Sequence, residues 1–409
     1  MEENLTMKIN DAVNANEATQ QTEQLEVESF LHENYLFRRN VLKGRGEFTT
    51  KPTNDEAPKW LPLTEEAKKS IVLNAKRLKV CGENSPKQDI MDYLLSDDIE
   101  RYDPIADYLN NDLPEWDGRN HVGMLFGRVP GVDSEKQDYL SIWFRSMVAH
   151  WLQMDQQHGN ECVPTLIGAQ GCGKTTFLRR ILPPHLSEYY MDHINLNNRF
   201  DQDMGLTNNL LVNIDEFDSL SARQHAKLKQ ILSKSRVNSR AIYGSVQEDK
   251  PRYASFAATT NNPHPLTDIS GSRRYICITI PDGLYIDNTG DIDYGQLYAQ
   301  VVYELKVQKA PYWFNNEEVK RIQELNVSYM SKADMADMVN ICFRKPKEGE
   351  CPRSMNCNSL MEIISRQFPT MKNTHSNKIH LGRTMRMLGY DSSDCGHVPH
   401  YKVILLLAA

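Results

Sequence analysis

The glycine-rich segment at residues 168–175 constrains the fold of this 409-residue chain more than any other feature. It reads Gly-Ala-Gln-Gly-Cys-Gly-Lys-Thr and matches the pattern G-x-x-x-x-G-K-[ST] in full. The apolar run Val163–Ile167 precedes it, and a helical pattern follows over Thr175–Leu182. A strand, a glycine-rich turn and a helix in this order open an α/β domain that binds phosphate. We therefore predict an α/β core built on a phosphate-binding loop (P-loop), and we call residues 168–175 the glycine loop.

The residue types of the glycine loop suit ATP and Mg²⁺, which we predict as cofactors. Glycines let backbone N–H groups approach phosphates closely, and the start of the following helix adds positive charge. Lys174 would reach the β- and γ-phosphates as a point charge. The Thr175 hydroxyl would coordinate Mg²⁺. The predicted nucleotide-binding residues are Gly168, Ala169, Gln170, Gly171, Cys172, Gly173, Lys174, Thr175 and Thr176.

A second apolar run, Leu210–Ile214, ends in two acids. We predict that Asp215 joins Thr175 as a Mg²⁺ ligand. Glu216 is the predicted general base, which would polarise the attacking water. Asp218 lies close by and could share either task.

A third apolar run, Ala254–Thr259, leads to Asn261 and Asn262. An amide delivered by a strand suits a group that touches the γ-phosphate or orients the water. Asn261 is favoured over Asn262 because it comes first after the strand.

Arg273 and Arg274 precede a fourth apolar run, Tyr275–Ile280. An arginine that reaches the γ-phosphate of a neighbouring subunit stabilises the charge of the transition state. We favour Arg273 for this role and keep Arg274 as the alternative. The predicted catalytic residues are Lys174, Glu216, Asn261, Arg273 and Arg274.

The segment from Arg223 to Arg252 carries eight basic residues against Glu248 and Asp249, with Tyr243-Gly-Ser between them. Basic residues near an aromatic residue and a glycine favour a hairpin that follows single-stranded DNA. A solvated helix face would explain part of the same pattern. The predicted DNA contacts are Lys234, Arg236, Arg240, Lys250 and Arg252.

The C-terminal segment predicts a small α+β unit. Helical patterns cover Ser359–Phe368 and Asn377–Leu388, and a strand is expected at His400–Leu405. Two helices and a β-ribbon are typical of a winged helix, whose second helix enters a DNA groove. A packing or oligomerisation domain is the alternative. The predicted groove contacts are Lys378, Arg383 and Arg386.

Composition and charge predict the nature of the N-terminal tail and the cellular compartment of the chain. Acids outnumber bases seven to one over residues 1–28, which predicts a disordered tail or a weak helix. Eight cysteines without a C-x-x-C pair, no signal peptide and no run of about 20 apolar residues predict a cytoplasmic protein with no membrane partner. The predicted order is an acidic tail at 1–28, an N-terminal arm at 29–62, a helical subdomain at 63–155, the P-loop ATPase core at 156–285, a helical extension at 286–345 and a winged-helix-like domain at 346–409.

The order of these motifs resembles the superfamily III helicases, a branch of the AAA+ ATPases. More closely, the chain resembles the virulence-associated protein E family of phage and genomic-island primase–helicases, over about residues 85–285. The resemblance is carried by Tyr102-Asp-Pro-Ile-Ala-Asp-Tyr-Leu109, Trp116-Asp-Gly-Arg119, the glycine loop, Ala258-Thr-Thr-Asn261 and Gly271-Ser-Arg-Arg-Tyr275.

The resemblance implies an AAA+ core and a homo-hexameric ring that moves on single-stranded or forked DNA. The ring would use ATP during replication of a phage, plasmid or integrated mobile element. Larger relatives carry a primase domain upstream, and we expect residues 1–62 to be too short for one. A separate primase or replisome protein is therefore the expected partner. The alternative is a regulatory or defence ATPase whose nucleotide cycle gates assembly without unwinding. A DNA-binding protein with a degenerate motor is disfavoured by the intact Lys174, Thr175, Asp215 and Glu216.

Overall fold

The computed structural model describes residues 21–52, 58–155, 158–240, 247–268, 271–330, 335–368, 371–395 and 398–406. The chain divides into two compact units, Met1–Pro114 and Glu115–Ala409. Within the described ranges, no helix combines the length and the apolar character needed to cross a membrane.

The first unit joins a small sheet to helices. Its elements are α1 (residues 21–34), β1 (Tyr35–Asn40), β2 (Arg45–Thr50), β3 (Leu61–Pro62), α2 (Glu65–Arg77), α3 (Lys87–Leu95), β4 (Arg101–Tyr102), α4 (Pro104–Asp107) and a π-helical turn (Tyr108–Asp112). The strand order is β3-β2-β1-β4. β1 runs antiparallel to β2 and parallel to β4.

Two predicted boundaries in this part of the chain are wrong. Helices α2 and α3 bury Ile71 and Ile90 in one core with Tyr35 of β1, so they belong with the predicted arm. The predicted subdomain at 63–155 is therefore split after Pro114. Residues 21–28, predicted as a disordered tail or a weak helix, are helical, and Val27 is buried in the same core. Residues 1–20 lie outside the described residues.

The second unit is a mixed α/β structure around a parallel sheet. Its elements before residue 330 are α5 (His121–Phe126), α6 (Ser134–Trp151), β5 (Val163–Ile167), α7 (Lys174–Arg179), β6 (Tyr190–Met191), α8 (Arg199–Asn208), β7 (Leu211–Ile214), α9 (Ala222–Leu232), β8 (Arg236–Arg240), β9 (Gln247–Pro251), β10 (Ser255–Thr260), β11 (Tyr275–Thr279), α10 (Tyr294–Lys306) and α11 (Asn316–Leu325). The sheet order is β11-β5-β10-β7-β6, and each pair is parallel.

The central strands confirm the prediction from apolar runs. Every residue of β5, β7 and β10 is buried, as expected for a parallel sheet covered on both faces. The predicted bounds of all four strands are within one residue of those observed. Strand β6 was not predicted, because its two residues form no apolar run.

The Trp-Asp-Gly-Arg segment that carried part of the resemblance is a tight turn docked on α10. The Trp116 ring lies 5.0 Å from that of Tyr303. Gly118 adopts a left-handed φ of +84°. The Asp117 carboxylate accepts a hydrogen bond from Arg119 N (2.9 Å), and this bond lowers the pKa of Asp117. The segment therefore has a structural role in placing the chain against α10.

The C-terminal part of the second unit has its own core. Its elements are α12 (Met335–Cys342), β12 (Phe343–Arg344), β13 (Arg353–Asn356), α13 (Cys357–Gln367), α14 (His375–Met387), β14 (Ser392–Cys395) and β15 (Val398–Leu405). The two predicted helices and the final strand are confirmed, and β14 and β15 form an antiparallel hairpin. The predicted start at residue 346 is wrong. Helix α12 buries Met335, Met338 and Val339 in this core, so the predicted extension at 286–345 ends before it.

Candidate nucleotide site

The glycine loop turns through two left-handed glycines between β5 and α7. Gly171 has φ +83° and Gly173 has φ +92°, a region that residues with a Cβ rarely adopt. A Cβ on Gly173 would also come within 2.5 Å of Asn288 Nδ2. Helix α7 then begins at Lys174. Strand, loop and helix thus follow the order predicted from the sequence.

The Lys174 ammonium group is held by three oxygen atoms, two of them from the first residues of the glycine loop. Its Nζ donates to Gly168 O (2.7 Å), Ala169 O (2.9 Å) and Asn261 Oδ1 (2.9 Å). The side chain is largely buried. Lys174 and Asn261, predicted from segments 87 residues apart, are therefore in direct contact.

Two threonines at the end of β10 hold the acids that follow β7. Thr259 Oγ1 donates to Asp215 Oδ1, and Thr260 Oγ1 donates to Asp218 Oδ1. The strands are neighbours in the sheet, so their carboxyl ends bring these groups together. Neither threonine was predicted from the sequence to belong to the site. Their signal was a pair of hydroxyl residues directly before Asn261.

Glu216 has an uncommon backbone conformation. Its φ is +50°, in the left-handed region, and its side chain is exposed. A residue with a Cβ in this region costs on the order of 1–3 kcal/mol, and such residues cluster at functional sites. This conformation occurs two residues after the end of β7, at the carboxyl edge of the sheet.

Most of the predicted nucleotide-binding and catalytic residues converge on one open cleft of about 500 Å³, whose lining does not include Arg273 and Arg274. The cleft is lined by Gln170, Gly171, Gly173, Lys174, Thr175, Thr176, Asp215, Glu216, Asp218, Ser219, Thr259, Thr260 and Asn261. Three predicted nucleotide-binding residues are not part of this lining. Gly168 and Ala169 hold Lys174 through their carbonyl groups, and Cys172 is buried with Sγ 3.7 Å from Lys174 Nζ.

The donor set of the cleft fits Mg²⁺. Thr175 offers a hydroxyl and Asp215 a carboxylate, both on the lining. Mg²⁺ keeps several waters and needs only one or two protein oxygen ligands. The bond from Thr259 fixes one oxygen of the Asp215 carboxylate and so its orientation.

Arg273 and Arg274 lie at the opposite edge of the sheet from the glycine loop. They precede Tyr275, which pairs with Val163 at the start of β5. The length of β5, about 16 Å, separates them from the loop at its other end. Arg273 is exposed, whereas Arg274 is largely buried with Nε 3.4 Å from Glu161 Oε2. Both line a second cavity of about 910 Å³.

The prediction that Arg252 contacts DNA is wrong. Arg252 is 1% exposed, and it donates to backbone oxygens of Leu232 (2.6 Å), Lys234 (2.9 Å), Asn160 (3.0 Å) and Ala254 (2.7 Å). Two of these oxygens lie at or just after the C-terminal end of α9, where a cation is favoured by the helix dipole. Burial lowers the pKa of Arg252 to about 9, so the side chain stays charged at neutral pH. Its role is to join α9, the base of the hairpin and β10.

The other basic residues of the stretch are placed on or near the antiparallel hairpin β8–β9. Arg236 pairs with Asp249 across the hairpin, and Lys234 Nζ lies 3.8 Å from Asp203 Oδ1. Lys250 is half-buried. Arg240 ends β8, and its side chain and the predicted tip Tyr243-Gly-Ser lie outside the described residues. Contact of the hairpin with DNA stays a prediction.

The predicted groove contacts of the C-terminal unit lie on α14. Arg383 and Arg386 are exposed and three residues apart, which puts them on one helix face. Lys378 is half-buried one turn earlier. Their contact with DNA also stays a prediction.

The fold and the cleft define a mixed α/β protein whose parallel sheet carries a glycine loop, two acids and an amide at its carboxyl edge. The family model of the virulence-associated protein E-like domain matches residues 109–331, more than half of the chain. The chain belongs to this family, which confirms the resemblance to the virulence-associated protein E family. A search of curated proteins returns no match.

Among solved structures, two of the similar chains are "The A form apo structure of NrS-1 C terminal region-CTR(305-718)" and "The apo structure of NrS-1 C terminal region (305-718)". Each has a TM-score of 0.40 and 11% sequence identity, and the alignment covers 94% of this chain and 99% of the other. Likeness at this level supports no conclusion about fold or function.

Proposed function

We propose that this chain is an ATP-hydrolysing AAA+ motor, similar to the superfamily III helicases, that moves on single-stranded or forked DNA. Its setting would be the replication of a phage, plasmid or integrated mobile element. The observation that carries the proposal is the convergence of Lys174, Asp215, Glu216 and Asn261 on the cleft of the glycine loop. A phosphate-binding loop alone would imply only nucleotide binding, whereas the acids and the amide supply the groups that hydrolysis needs.

Each residue of the cleft has a different role in the proposed hydrolysis. Lys174, fixed by Asn261 and two loop carbonyls, presents its charge where the β- and γ-phosphates would lie. Thr175 and Asp215 would hold Mg²⁺, which neutralises developing phosphate charge when bound. Glu216 accepts a proton from the attacking water as the new O–P bond forms and the bond to ADP breaks. Asn261 orients that water.

The position of the arginine pair supports hydrolysis shared between subunits. Arg273 and Arg274 precede β11 at the amino edge, and the glycine loop lies at the carboxyl edge. An arginine there is placed to serve the cleft of another copy, and a closed ring is the assembly in which every copy can do so. The homo-hexamer is part of this proposal.

The DNA contacts of the proposal rest on the β8–β9 hairpin and on α14. A separate primase or replisome protein would supply priming. The second candidate is a regulatory or defence ATPase that does not unwind DNA. The charge of the hairpin favours this second candidate. Because Arg252 is buried and Arg236 is paired with Asp249, the hairpin offers less positive charge to DNA than its sequence indicates.

Strand displacement from forked DNA, measured together with ATP hydrolysis, separates the two candidates. We expect the wild-type chain to hydrolyse ATP faster with single-stranded DNA and to release the displaced strand. Lys174→Ala should do neither, and Lys320→Ala, an exposed lysine of α11, should behave as wild type. Hydrolysis without any strand displacement would reject the helicase and leave the regulatory ATPase.

A further inference from the structure

Residues 284–290, here called the strap, are hydrogen-bonded to the glycine loop. Ile286 N donates to Cys172 O (3.0 Å), and Asn288 Nδ2 donates to Gly173 O (3.0 Å). The strap follows β11, which pairs with β5 up to the start of the loop. Its backbone position is therefore set by the same loop that would hold the phosphates.

Two arginines fix the far end of the strap. Arg180, just after α7, donates to Asn288 O and Gly290 O. Arg128 donates to Gly290 O (2.7 Å), and its own carbonyl accepts from Asp287 N (3.1 Å). Charged donors to backbone oxygens make strong hydrogen bonds. The strap is thus held at both ends.

The fixed strap exposes two large side chains. Leu284 is 49% exposed and Tyr285 is 71% exposed, whereas Ile286 beside them is buried. These two side chains add little to the core. An aromatic and an aliphatic side chain on a fixed backbone form a ready contact surface for a flat apolar group.

The order of the strands decides which part of a nucleotide would meet the strap. Along the carboxyl edge, β5 with the glycine loop lies between β11 on one side and β10 on the other. Asn261 and Asp215, at the γ-phosphate end, follow β10 and the next strand β7. A nucleotide with its γ-phosphate toward β10 therefore has its base toward β11, the strand from which the strap leaves.

We propose that the strap is the base subsite of the cleft and that Tyr285 and Leu284 contact the base of the nucleotide. This inference rests on the proposed function, since it takes the glycine loop as the phosphate site. Stacking on an aromatic ring accepts every base, because each has a flat π-face. Purines, with the larger face, bind more tightly there than pyrimidines.

Binding of ADP and of pyrophosphate, each with Mg²⁺, tests the subsite by calorimetry. The two ligands share a diphosphate, and only ADP has a base. We expect Tyr285→Ala to weaken ADP binding roughly five-fold or more, the range for loss of one base–aromatic stack, and to leave pyrophosphate binding unchanged. Tyr285→Phe, which keeps the ring, should bind ADP as wild type does. Leu284→Ala should weaken the binding of ADP and leave the binding of pyrophosphate unchanged. Val307 is an exposed aliphatic residue that follows α10, and Val307→Ala should change the binding of neither ligand.

Two results would overturn the subsite. Unchanged ADP binding in both Tyr285→Ala and Leu284→Ala would show that the base lies elsewhere. Equal weakening of ADP and pyrophosphate would show a disturbed loop and no base contact. If the wild-type chain bound neither ligand, the proposed function itself would fail and the subsite with it. If it bound both, a failure of the subsite would leave the proposed function standing.

Discussion

Asn261 and Asn262 are adjacent in sequence but have different partners. Asn261 Oδ1 accepts from Lys174 Nζ, whereas Asn262 Oδ1 accepts from His264 N (2.9 Å) in a turn. We expect Asn261→Ala to lower kcat for ATP about 100-fold with little change in KM, the size of effect seen when one positioned polar group is removed. Asn262→Ala should keep wild-type kcat. Steady-state kinetics of the two variants check this, and the reverse result would move the catalytic role to Asn262.

The hydrogen bonds of Arg252 lead us to expect that this residue stabilises the fold. Its removal leaves several buried carbonyl oxygens without a donor, so Arg252→Ala should lower the free energy of unfolding by about 3 kcal/mol or more. Arg223→Ala, an exposed arginine of α9, should change it by less than about 0.5 kcal/mol. Urea unfolding measures both. A stable Arg252→Ala variant with weakened DNA binding would restore the interpretation that the structure rejects.

The cleft shows which residue positions a sequence can predict. That Lys174, Asp215, Glu216 and Asn261 share one cleft was predictable, because each follows an apolar run and the carboxyl ends of parallel strands meet at one edge of the sheet. Arg252 was misread because charge and spacing suit a DNA contact and a buried cation equally. Only its burial separates the two roles.

At the scale of elements, we expect the β8–β9 hairpin to contribute one phosphate contact to DNA binding, through Arg240. Arg240→Ala should weaken binding of single-stranded DNA and reduce the salt dependence of log K by about 0.7, the value for one phosphate contact. Arg223→Ala serves as the control with the same charge change. Fluorescence anisotropy at several salt concentrations gives both quantities. Equal binding by Arg240→Ala and wild type would remove the hairpin from the DNA interface.

Strands and helices were predictable where an unbroken run of buried residues appears in the sequence. They were uncertain where packing against another element defines them. Strands β5, β7, β10 and β11 appear as apolar runs because both of their faces are covered. Strand β6 has two residues and is set by its pairing with β7. Helix α12 was assigned to the wrong region because an apolar helix face does not indicate which core it joins. The strap has no periodic pattern and was not predicted as a unit.

At the scale of the whole molecule, Lys174 and Arg273 lie at opposite edges of the sheet. We therefore expect variants at these two positions to complement each other between subunits. In the proposed mechanism, Arg273→Ala would remove the group that serves another copy, and Lys174→Ala would disable the copy's own cleft. Mixing the two variants should restore part of the ATP hydrolysis that each lacks alone. A mixture of Lys174→Ala and Asn261→Ala should restore none by this route, because both changes affect the same cleft. No recovery in the first mixture would argue against an arginine acting between subunits.

ATP hydrolysis by the purified chain with Mg²⁺ tests the proposed activity most directly. We predict phosphate release by the wild-type chain, its loss in Lys174→Ala, and a slow rate with retained ATP binding in Glu216→Gln. Lys320→Ala should keep the wild-type rate. Absence of hydrolysis in the wild-type chain, or an unchanged rate in Lys174→Ala, would contradict the assignment of this cleft as an ATPase site.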